Sequence, residues 1–454
     1  MSVFSTITSK RYGYENAFGA SDCTSSQMQD AISEWFDLFY RRDRSKQEDP
    51  CQMIPYAVVN KITKTAFAEY SAKGKNDFAS SVLHGLDNIA VRAMHDALIG
   101  GLAYIKPFPM GNRFVYSSIS RNNLLVFGKD VEGNPTDIGC AERTIVGNVY
   151  YTLLERRTVG TDGLLTIRNK LYQSSSDDVL GRPAPLTSVP RYAALPVSYT
   201  YPQPIGLGMI PLRCPVPNCV DGSTDPVSVY AAAVGLIHNI NRNEAELSGE
   251  FERGKSRLVV SSDMLKRRDG SKELVLADDV FVGLDDNPED VGITIFSPAL
   301  REQSFLARKT EYLRNVEGII GLKRGLLSEV ESAERTATEV TSSAGDYNLT
   351  IIDFQRMWEN AVREALVLCG ALGRMYRIQG AVDLKGDAAI IDWGNGVLYD
   401  ESKTWTDYKA MVAAGLLRPE IAVGWYFNMP TNTAKDLEAV RERYMPALEA
   451  MMDV

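Results

Sequence analysis

The stretch from Asp225 to Asp346 constrains the fold most, because long helical patterns in it surround a short β segment. Asp225 and Pro226 are typical of a helix start, since a carboxylate can cap free amides and proline fits the first helical position. Apolar residues then recur at helical spacing, namely Tyr230, Val234, Ile237, Ile240, Leu247 and Phe251. The pattern predicts a helix from Pro226 to about Phe251, roughly 39 Å long at 1.5 Å per residue.

A β segment separates this helix from a second one. Gly254 is expected to end the first helix, and Leu258–Val260 has the composition of a strand. An acidic, turn-rich segment from Asp278 to Asp290 leads to a second strand, Ile293–Phe296, and Ser297–Pro298 then predicts a helix start. One apolar face of that helix is formed by Phe305, Tyr312, Val316 and Ile320. Two long helices around a small β lobe suit a rod with a tip rather than a pocket.

Residues Gly249 to Ser256 match the phosphate-binding pattern GxxxxGK[ST] letter for letter. A working P-loop follows a strand and opens a helix, so that loop amides and the helix N-terminus converge on phosphate. Here a helix is expected before the match and a strand after it, which puts the match at a helix C-terminus, where the dipole disfavours an anion. Glu250 and Glu252 would add two carboxylates beside the phosphates. We therefore interpret the match as a helix end and expect no nucleotide binding.

The rest of the chain predicts a mixture of helices and strands. Helical spacing appears from Ser25 through Ile32, Trp35, Phe36 and Phe39, and again over 56–70 and 78–98. Short strands are expected at Arg113–Tyr116, Leu124–Phe127, Val149–Arg156 and Leu164–Asn169. After Asp346, a long amphipathic helix is marked by Ile351, Phe354, Trp358, Ala361, Ala365 and Leu368. A strand at Ile390–Trp393 and two or three closing helices follow.

Composition limits the classes of protein that fit. No run of 18 apolar residues exists and the start lacks a basic segment with an apolar core, so neither a membrane span nor a secretion signal is expected. Six scattered cysteines are too sparse for a disulfide scaffold and fit a reducing cytoplasm. A net charge of −9 argues against a protein that grips nucleic acid through a basic footprint.

Residue types that carry chemistry do not cluster in this sequence. His84 and His95 lie too far apart along the expected helix to bind one metal, and His238 has no partner at ligand spacing. Cys214 and Cys219 lack a second pair of ligands, so no zinc site is expected. The acidic residues lack the glycine and terminal glutamate of an EF-hand and are interpreted as a solvated surface; they are Asp278, Asp279, Asp285, Asp286, Glu289 and Asp290. We expect no enzyme activity, no cofactor and no metal.

Several short motifs resemble a known family when taken in order. They are Gly100–Leu102 with Tyr104–Pro107, Asn169–Tyr172, Ser228–Ala231, Phe251–Lys255, Gly321–Leu322 with Gly325 and Ser328, and Thr336–Val340. With these motifs, roughly residues 25 to 445 resemble the portal proteins of long-tailed, siphophage-type bacteriophages. Thr336–Val340 is the most specific of the motifs.

The resemblance implies an α+β portal fold assembled as a ring. Its parts in chain order would be an N-terminal wing (1–225), a first stem helix (226–255), a clip (256–298), a second stem helix (299–322), a tunnel loop (323–335), a long wing helix with a wing strand (336–400) and C-terminal crown helices (401–454). In such a ring, the proline-rich residues 174–226 are expected to lie extended against a neighbouring subunit.

The function implied is that of a head–tail connector at one capsid vertex of the virion, built in the host cytoplasm. A ring of twelve subunits would form the channel for genome packaging and ejection. Its partners would be the packaging motor (terminase), a head–tail adaptor, the major capsid and scaffolding proteins, and double-stranded DNA passing through the channel, with no membrane. Candidate channel residues in the tunnel loop are Lys323, Arg324, Leu326, Leu327, Glu329, Glu331, Glu334 and Arg335. Candidate clip residues for docking are Asp285, Asp286, Glu289 and Asp290.

Charge along the expected channel wall alternates in sign. Residues 301–325 carry a net +3, from six basic and three acidic residues, and 326–345 carry −3, from four acidic residues and Arg335. Contacts of such bands with DNA phosphates would be weak and screened within about 10 Å at ordinary salt. Weak contacts suit a conduit, because tight ones would stall translocation.

Two alternative functions remain open from the sequence. A nucleotide-driven packaging enzyme would take the match at 249–256 at face value, but its nearest metal-binding strand, Val275–Asp279, ends without a glutamate base and lies only about twenty residues further on. The second alternative is another minor capsid structural protein. The chemistry of the sequence does not exclude it, and only the resemblance favours a portal protein.

Overall fold

The computed structural model describes residues 13–40, 50–176, 179–253, 301–328, 337–394, 401–427, 429–431 and 433–445, together with four short strands between 257 and 296. These residues form a mixed α and β protein, as the sequence indicates. Of the part of the chain so described, none of the helices combines the length and apolar character needed to cross a membrane.

After a helical segment at residues 13–18, four helices follow: α1 (Ser26–Tyr40), α2 (Ile54–Ala66), α3 (Asp77–Asp87) and α4 (Ala90–Gly100). Helix α1 buries Ile32, Trp35, Phe36 and Phe39, as its spacing predicts. The single helix expected over 78–98 is wrong, since α3 and α4 are separate helices. Asn88 lies at the break and donates its side-chain amide to the carbonyl of His84. Asparagine side chains that bond to the backbone compete with the helical ladder, which favours a helix end there.

Two antiparallel sheets follow the helices. The smaller has the order β10-β2-β3, from β2 (Leu102–Met110), β3 (Arg113–Ser120) and β10 (Ile210–Arg213). The larger has the order β4-β5-β6-β7-β8, with β9 also paired to β7. Its strands are β4 (Leu124–Lys129), β5 (Pro135–Val146), β6 (Val149–Val159), β7 (Leu165–Ser174), β8 (Arg182–Ala184) and β9 (Ser198–Thr200). The expected strands of this region are confirmed, and each is longer than its sequence pattern indicates.

The proline-rich segment packs in part on its own chain, and its contact with a neighbouring subunit stays a prediction. Strands β8 and β9 pair with β7, and β10 pairs with β2. Its residues Ile210, Leu212 and Cys214 are buried in the main core. Prolines can be accommodated because β8 and β10 lie at sheet edges, where a missing N–H interrupts pairing on one side only.

A buried ion triad ties the two sheets and this segment together. Lys106 of β2 donates its ammonium to Glu155 of β6 at 2.5 Å, and Arg157 of β6 donates to the other oxygen of Glu155 at 2.6 Å. Arg157 also donates to the carbonyl of Leu207 at 2.7 Å. Burial alone would raise the pKa of Glu155, but the charges of Arg157 and Lys106 outweigh it and lower that pKa to about 2. The carboxylate is therefore ionised and holds both cations.

A long helix, α7, crosses the core as predicted. In chain order, β1 (Ser71–Gly74) comes between α2 and α3, and the later elements are α5 (Val234–Arg253), α6 (Glu302–Ile320), α7 (Ala337–Met375) and β15 (Ala389–Asp392). The 39 residues of α7 span about 58 Å. Its predicted apolar stripe is buried throughout, at Ile351, Phe354, Trp358, Ala361, Ala365 and Leu368. After α7 the chain returns to pair β15 with β1, which confirms the strand expected there.

Three helices close the described chain: α8 (Glu401–Ala413), α9 (Pro419–Tyr426) and α10 (Ala434–Tyr444). Thr433 and Asp436 form a capping box at the start of α10. Aromatic rings join the three helices, with Trp405 against Tyr426 at 4.6 Å and Phe427 stacked on Tyr444 at 4.2 Å between ring centres. The expectation of two or three C-terminal helices is confirmed.

Candidate functional site

The candidate site is the hairpin of α5 and α6 with the chain that leaves it. The start of α5 differs from the prediction, since the α-helix begins at Val234 after a short 3₁₀ turn, Ala231–Ala233. Before that turn, the amide of Val229 and the hydroxyl of Ser228 both donate to the carbonyl of Leu98, at 3.0 and 3.1 Å. Residues 227–230 are all buried, which a surface helix with one exposed face does not allow. Asp225 does not cap the helix and instead pairs with Lys129 at 2.5 Å.

Helix α6 packs antiparallel to α5. Arg301 makes a two-pronged bond to the Glu250 carboxylate, at 3.0 and 2.8 Å. Further along, Lys309 pairs with Glu244 at 2.7 Å. The later residues of α5 thus meet the earlier ones of α6, as in a hairpin. The expected helix start at 297–298 lies outside the described residues, and α6 itself begins at Glu302.

The apolar face predicted for α6 is present. Val316 and Ile320 are buried, and Phe305 and Tyr312 are half-buried. The side-chain amide of Asn243 on α5 donates to the carbonyl of Phe305 at 3.1 Å. The two helices therefore contact each other through both apolar and polar groups.

Short strands occupy the segment between the two helices. Strands are present where they are expected, and β11 (Arg257–Val259) pairs antiparallel with β14 (Thr294–Phe296). A second ribbon, β12 (Leu265–Arg267) with β13 (Leu274–Leu276), is not predicted by the sequence. Strand β13 consists of three consecutive apolar residues, which give no alternating pattern. The docking candidates Asp285, Asp286, Glu289 and Asp290 lie outside the described residues.

The match to a P-loop pattern has the order of elements that the sequence indicates. Helix α5 runs through Gly249 to Arg253, and the next described residues, from Arg257, form a strand. Residues 254–256 lie outside the described part. A helix enters the match and a strand leaves it, which is the reverse of the order that cradles phosphate.

Helix α6 ends at Gly321, in the left-handed conformation (φ 77°) that favours glycine. The amide of Leu322 donates to the carbonyl of Glu317 at 2.8 Å, which closes the last turn. A Cβ atom at Gly321 would lie 2.5 Å from the hydroxyl of Thr350 on α7. Glycine is needed there for both the turn and the close approach of α7.

The side chain of Glu317 holds the chain that follows. Its residue is fully buried, and its Oε1 accepts bonds from the amides of Leu327 at 2.6 Å and Ser328 at 2.9 Å. Its Oε2 accepts from the hydroxyl of Ser328 at 2.9 Å, and the amide of Gly325 donates to both oxygens at 3.2 Å. In the sequence, Glu317 is only one of the three acidic residues counted over 301–325, because spacing does not reveal a carboxylate that bonds to its own downstream backbone.

The described candidate channel residues occupy two different environments. Lys323 and Arg324 are exposed. Leu326 and Leu327 are half-buried and pack against the main core. Glu329, Glu331, Glu334 and Arg335 lie outside the described residues. The first part of the predicted tunnel loop is thus a hydrogen-bonded turn with two basic side chains at its surface.

The positive charge counted over 301–325 is also distributed unevenly. Arg301 and Lys309 are paired with glutamates of α5, and Glu317 is buried. The exposed bases include Arg308, Lys323 and Arg324. Arg308 lies over the ring of Tyr312, with the guanidinium carbon 5.3 Å from the ring centre.

Side chains with catalytic potential are dispersed in the described structure. Of the residues described, no group of three or more His, Cys, Asp or Glu could hold a metal ion. All six cysteines are free, and burial raises the pKa of both Cys140 and Cys369 to about 12, so these thiols stay protonated. His238 pairs with Glu34 of α1 at 2.7 Å, and burial lowers the pKa of His95.

Comparisons with known proteins find likenesses among solved structures. No protein-family model matches the chain, and no curated protein matches it. Among solved structures, it is similar to a chain in the neck of a native GTA particle computed with C12 symmetry. The two share 11% sequence identity at a TM-score of 0.48, with 94% of this chain and 100% of the other covered. At this identity and TM-score the likeness says nothing about activity or assembly.

Proposed function

We propose that this chain is a portal protein, the head–tail connector of a tailed bacteriophage or a similar particle. The observation that carries the proposal is the order of elements along one chain. Two long antiparallel helices, α5 and α6, bracket a β tip, and a glycine-ended turn leads to the 39-residue α7. The motifs that resemble the portal family fall at the junctions of these elements: Ser228–Ala231 before α5, Phe251–Lys255 at its end, Gly321–Leu322 after α6 and Thr336–Val340 around the start of α7.

Exposed apolar side chains on the hairpin support assembly into a ring. Phe251, Leu306 and Ile319 are 42%, 45% and 52% exposed. They lie on the two helices of the hairpin, and apolar surface that is exposed in one chain can be covered by a partner in an assembly. In the proposed ring, neighbouring hairpins would stand side by side and cover these groups.

The proposed role needs no chemistry from the chain. The ring would sit at one vertex of the virion, pass double-stranded DNA in and out, and dock first the packaging motor and then the tail adaptor. Scaffolding and major capsid proteins would surround it during assembly in the host cytoplasm. A nucleotide-driven packaging enzyme is not proposed, because the match at 249–256 joins a helix end to a strand.

Mass photometry of the purified protein tests the proposal. Twelve copies of the 50.2 kDa chain would weigh about 600 kDa, and a closed ring should give one narrow peak near a whole-number multiple of the chain. Dilution should leave that peak in place, because a closed ring has no free ends. A single species at 50.2 kDa over all concentrations would contradict the proposal.

A further inference from the structure

We infer that Glu317 is the positioning residue of the turn after α6, and that its carboxylate presents Lys323 and Arg324 at the channel wall. The location of these two bases at a channel rests on the proposed function, whereas their positioning by Glu317 does not. The inference stands on the full burial of Glu317 and on the bonds that its two oxygens accept from residues 325–328.

One residue makes both connections at this helix end. The backbone carbonyl of Glu317 accepts the amides of Gly321 and Leu322 and ends the helix. Its side chain then accepts three later amides, from residues eight, ten and eleven positions further on. The chain between must therefore turn back on itself, which the bond from the amide of Leu326 to the carbonyl of Lys323 at 3.2 Å completes.

The residues of the turn differ in how far they are buried. Leu322 and Ser328 are buried, Leu326 and Leu327 are half-buried, and Lys323 to Gly325 between them are exposed. The two bases stand at the apex because both sides of the turn are held inward. A buried carboxylate costs much free energy unless it accepts several hydrogen bonds, so Glu317 is stable here only while the turn is closed.

The strength of this arrangement lies in its charge. Bonds from neutral donors to a carboxylate are roughly twice as strong as those between neutral groups. In Glu317→Gln, an amide nitrogen at the Oε2 position faces the amide of Gly325 and the hydroxyl of Ser328 and cannot accept a hydrogen from either. The remaining oxygen is neutral and therefore binds the amides of Leu327 and Ser328 more weakly. The substitution keeps the size of the side chain and changes mainly its ability to hold the turn.

Hydrogen–deuterium exchange on three variants tests the inference. In Glu317→Gln, we expect the amides of 325–328 to exchange about ten-fold faster or more, while peptides from α5 and from α7 near Trp358 keep wild-type rates. Ser328→Ala removes one donor and should give a smaller increase in the same peptide. Glu311→Gln, on the exposed side of α6, is the matched control and should leave exchange unchanged.

Two results would overturn the inference. Unchanged exchange at 325–328 in Glu317→Gln would show that the carboxylate does not hold the turn. A rise in exchange throughout the protein with a fall in Tm would show that Glu317 supports only the fold as a whole. Since these rates can be measured on any assembly state, failure here is distinct from failure to form a ring.

Discussion

Lys255 illustrates how the elements around a residue decide its role. It stands where a P-loop places its phosphate-binding lysine, yet the described chain enters this region as a helix and leaves it as a strand. We predict that Lys255→Ala has no effect on nucleotide binding, because the wild type binds none. Isothermal titration with MgATP checks this. Saturable binding by the wild type that disappears in the variant would contradict our interpretation of 249–256.

Loss of the Glu155 carboxylate should destabilise the fold strongly. Glu155→Gln leaves Lys106 and Arg157 buried without a counter-charge, and we expect the free energy of unfolding to fall by about 3–5 kcal/mol. Urea denaturation of the purified protein measures it. Replacing all three together, as Lys106→Met, Glu155→Leu and Arg157→Met, should cost much less, because no unpaired charge then remains. An equal loss in the triple variant would show that packing rather than charge is responsible.

The same carboxylate gives a dependence of stability on pH. Its pKa is lowered from an ordinary value of 4.5 to about 2 in the folded state. A depressed pKa stabilises the fold above the unfolded value, and this contribution is lost as the pH falls from 4.5 toward 2. Thermal unfolding across this range should show a loss of stability in the wild type that is smaller in Glu155→Gln. Parallel curves for the two proteins would contradict the assignment.

Among the elements, the turn after α6 should respond differently to two overlapping deletions. Removing Leu326 to Ser332 takes away Leu327 and Ser328, whose amides bind Glu317, and leaves its carboxylate buried without them. Removing Glu329 to Arg335 spares Gly325, Leu327 and Ser328, the donors to Glu317 that the structure describes. We predict that only the second deletion gives soluble rings at wild-type yield, which size-exclusion chromatography measures.

Heads built with the second deletion should package or retain DNA poorly if 329–335 narrows the channel. The measurement is the fraction of full-length genome held by purified heads. Heads that fill and hold the genome normally would show that this segment is not the constriction.

The β tip between α5 and α6 is the element that we expect to meet the tail adaptor. Replacing Asp285, Asp286, Glu289 and Asp290 by lysine should abolish adaptor binding in a pull-down, because the charge of the docking surface changes from negative to positive. Ring assembly should persist, since α5 and α6 pack through groups outside this segment, such as Glu250 with Arg301. Normal adaptor binding together with failed ring assembly would place the docking surface elsewhere.

How far the sequence predicts these elements depends on the range of the contacts that define them. Apolar periodicity identified α1, α6 and α7, because one buried stripe decides each helix. It failed before α5, where residues 227–230 are all buried and bond to Leu98 far along the chain. It also gave no signal in the proline-rich segment, where β9 pairs with β7 and β10 pairs with β2 over long separations in sequence. The turn held by Glu317 was not predicted for a similar reason, since counting charges does not show which carboxylate is buried.

At the scale of the whole molecule, the proposed portal function requires many copies of the chain to act together. One hairpin cannot enclose a channel, and its exposed apolar groups, such as Leu306 and Ile319, remain in water until a neighbour covers them. A net charge of −9 per chain would repel DNA from most of the ring, while exposed bases such as Lys323 and Arg324 could contact it weakly. Such a balance suits passage rather than capture.

Electron cryo-microscopy of the purified protein is the most direct test of the proposed portal ring. We predict closed rings with a central channel, with the α5–α6 hairpins side by side around it and the turn at 323–328 facing the lumen. Rings in which this turn faces outward would contradict the assignment of the channel wall. A protein that stays monomeric at every concentration imaged would contradict the portal function itself.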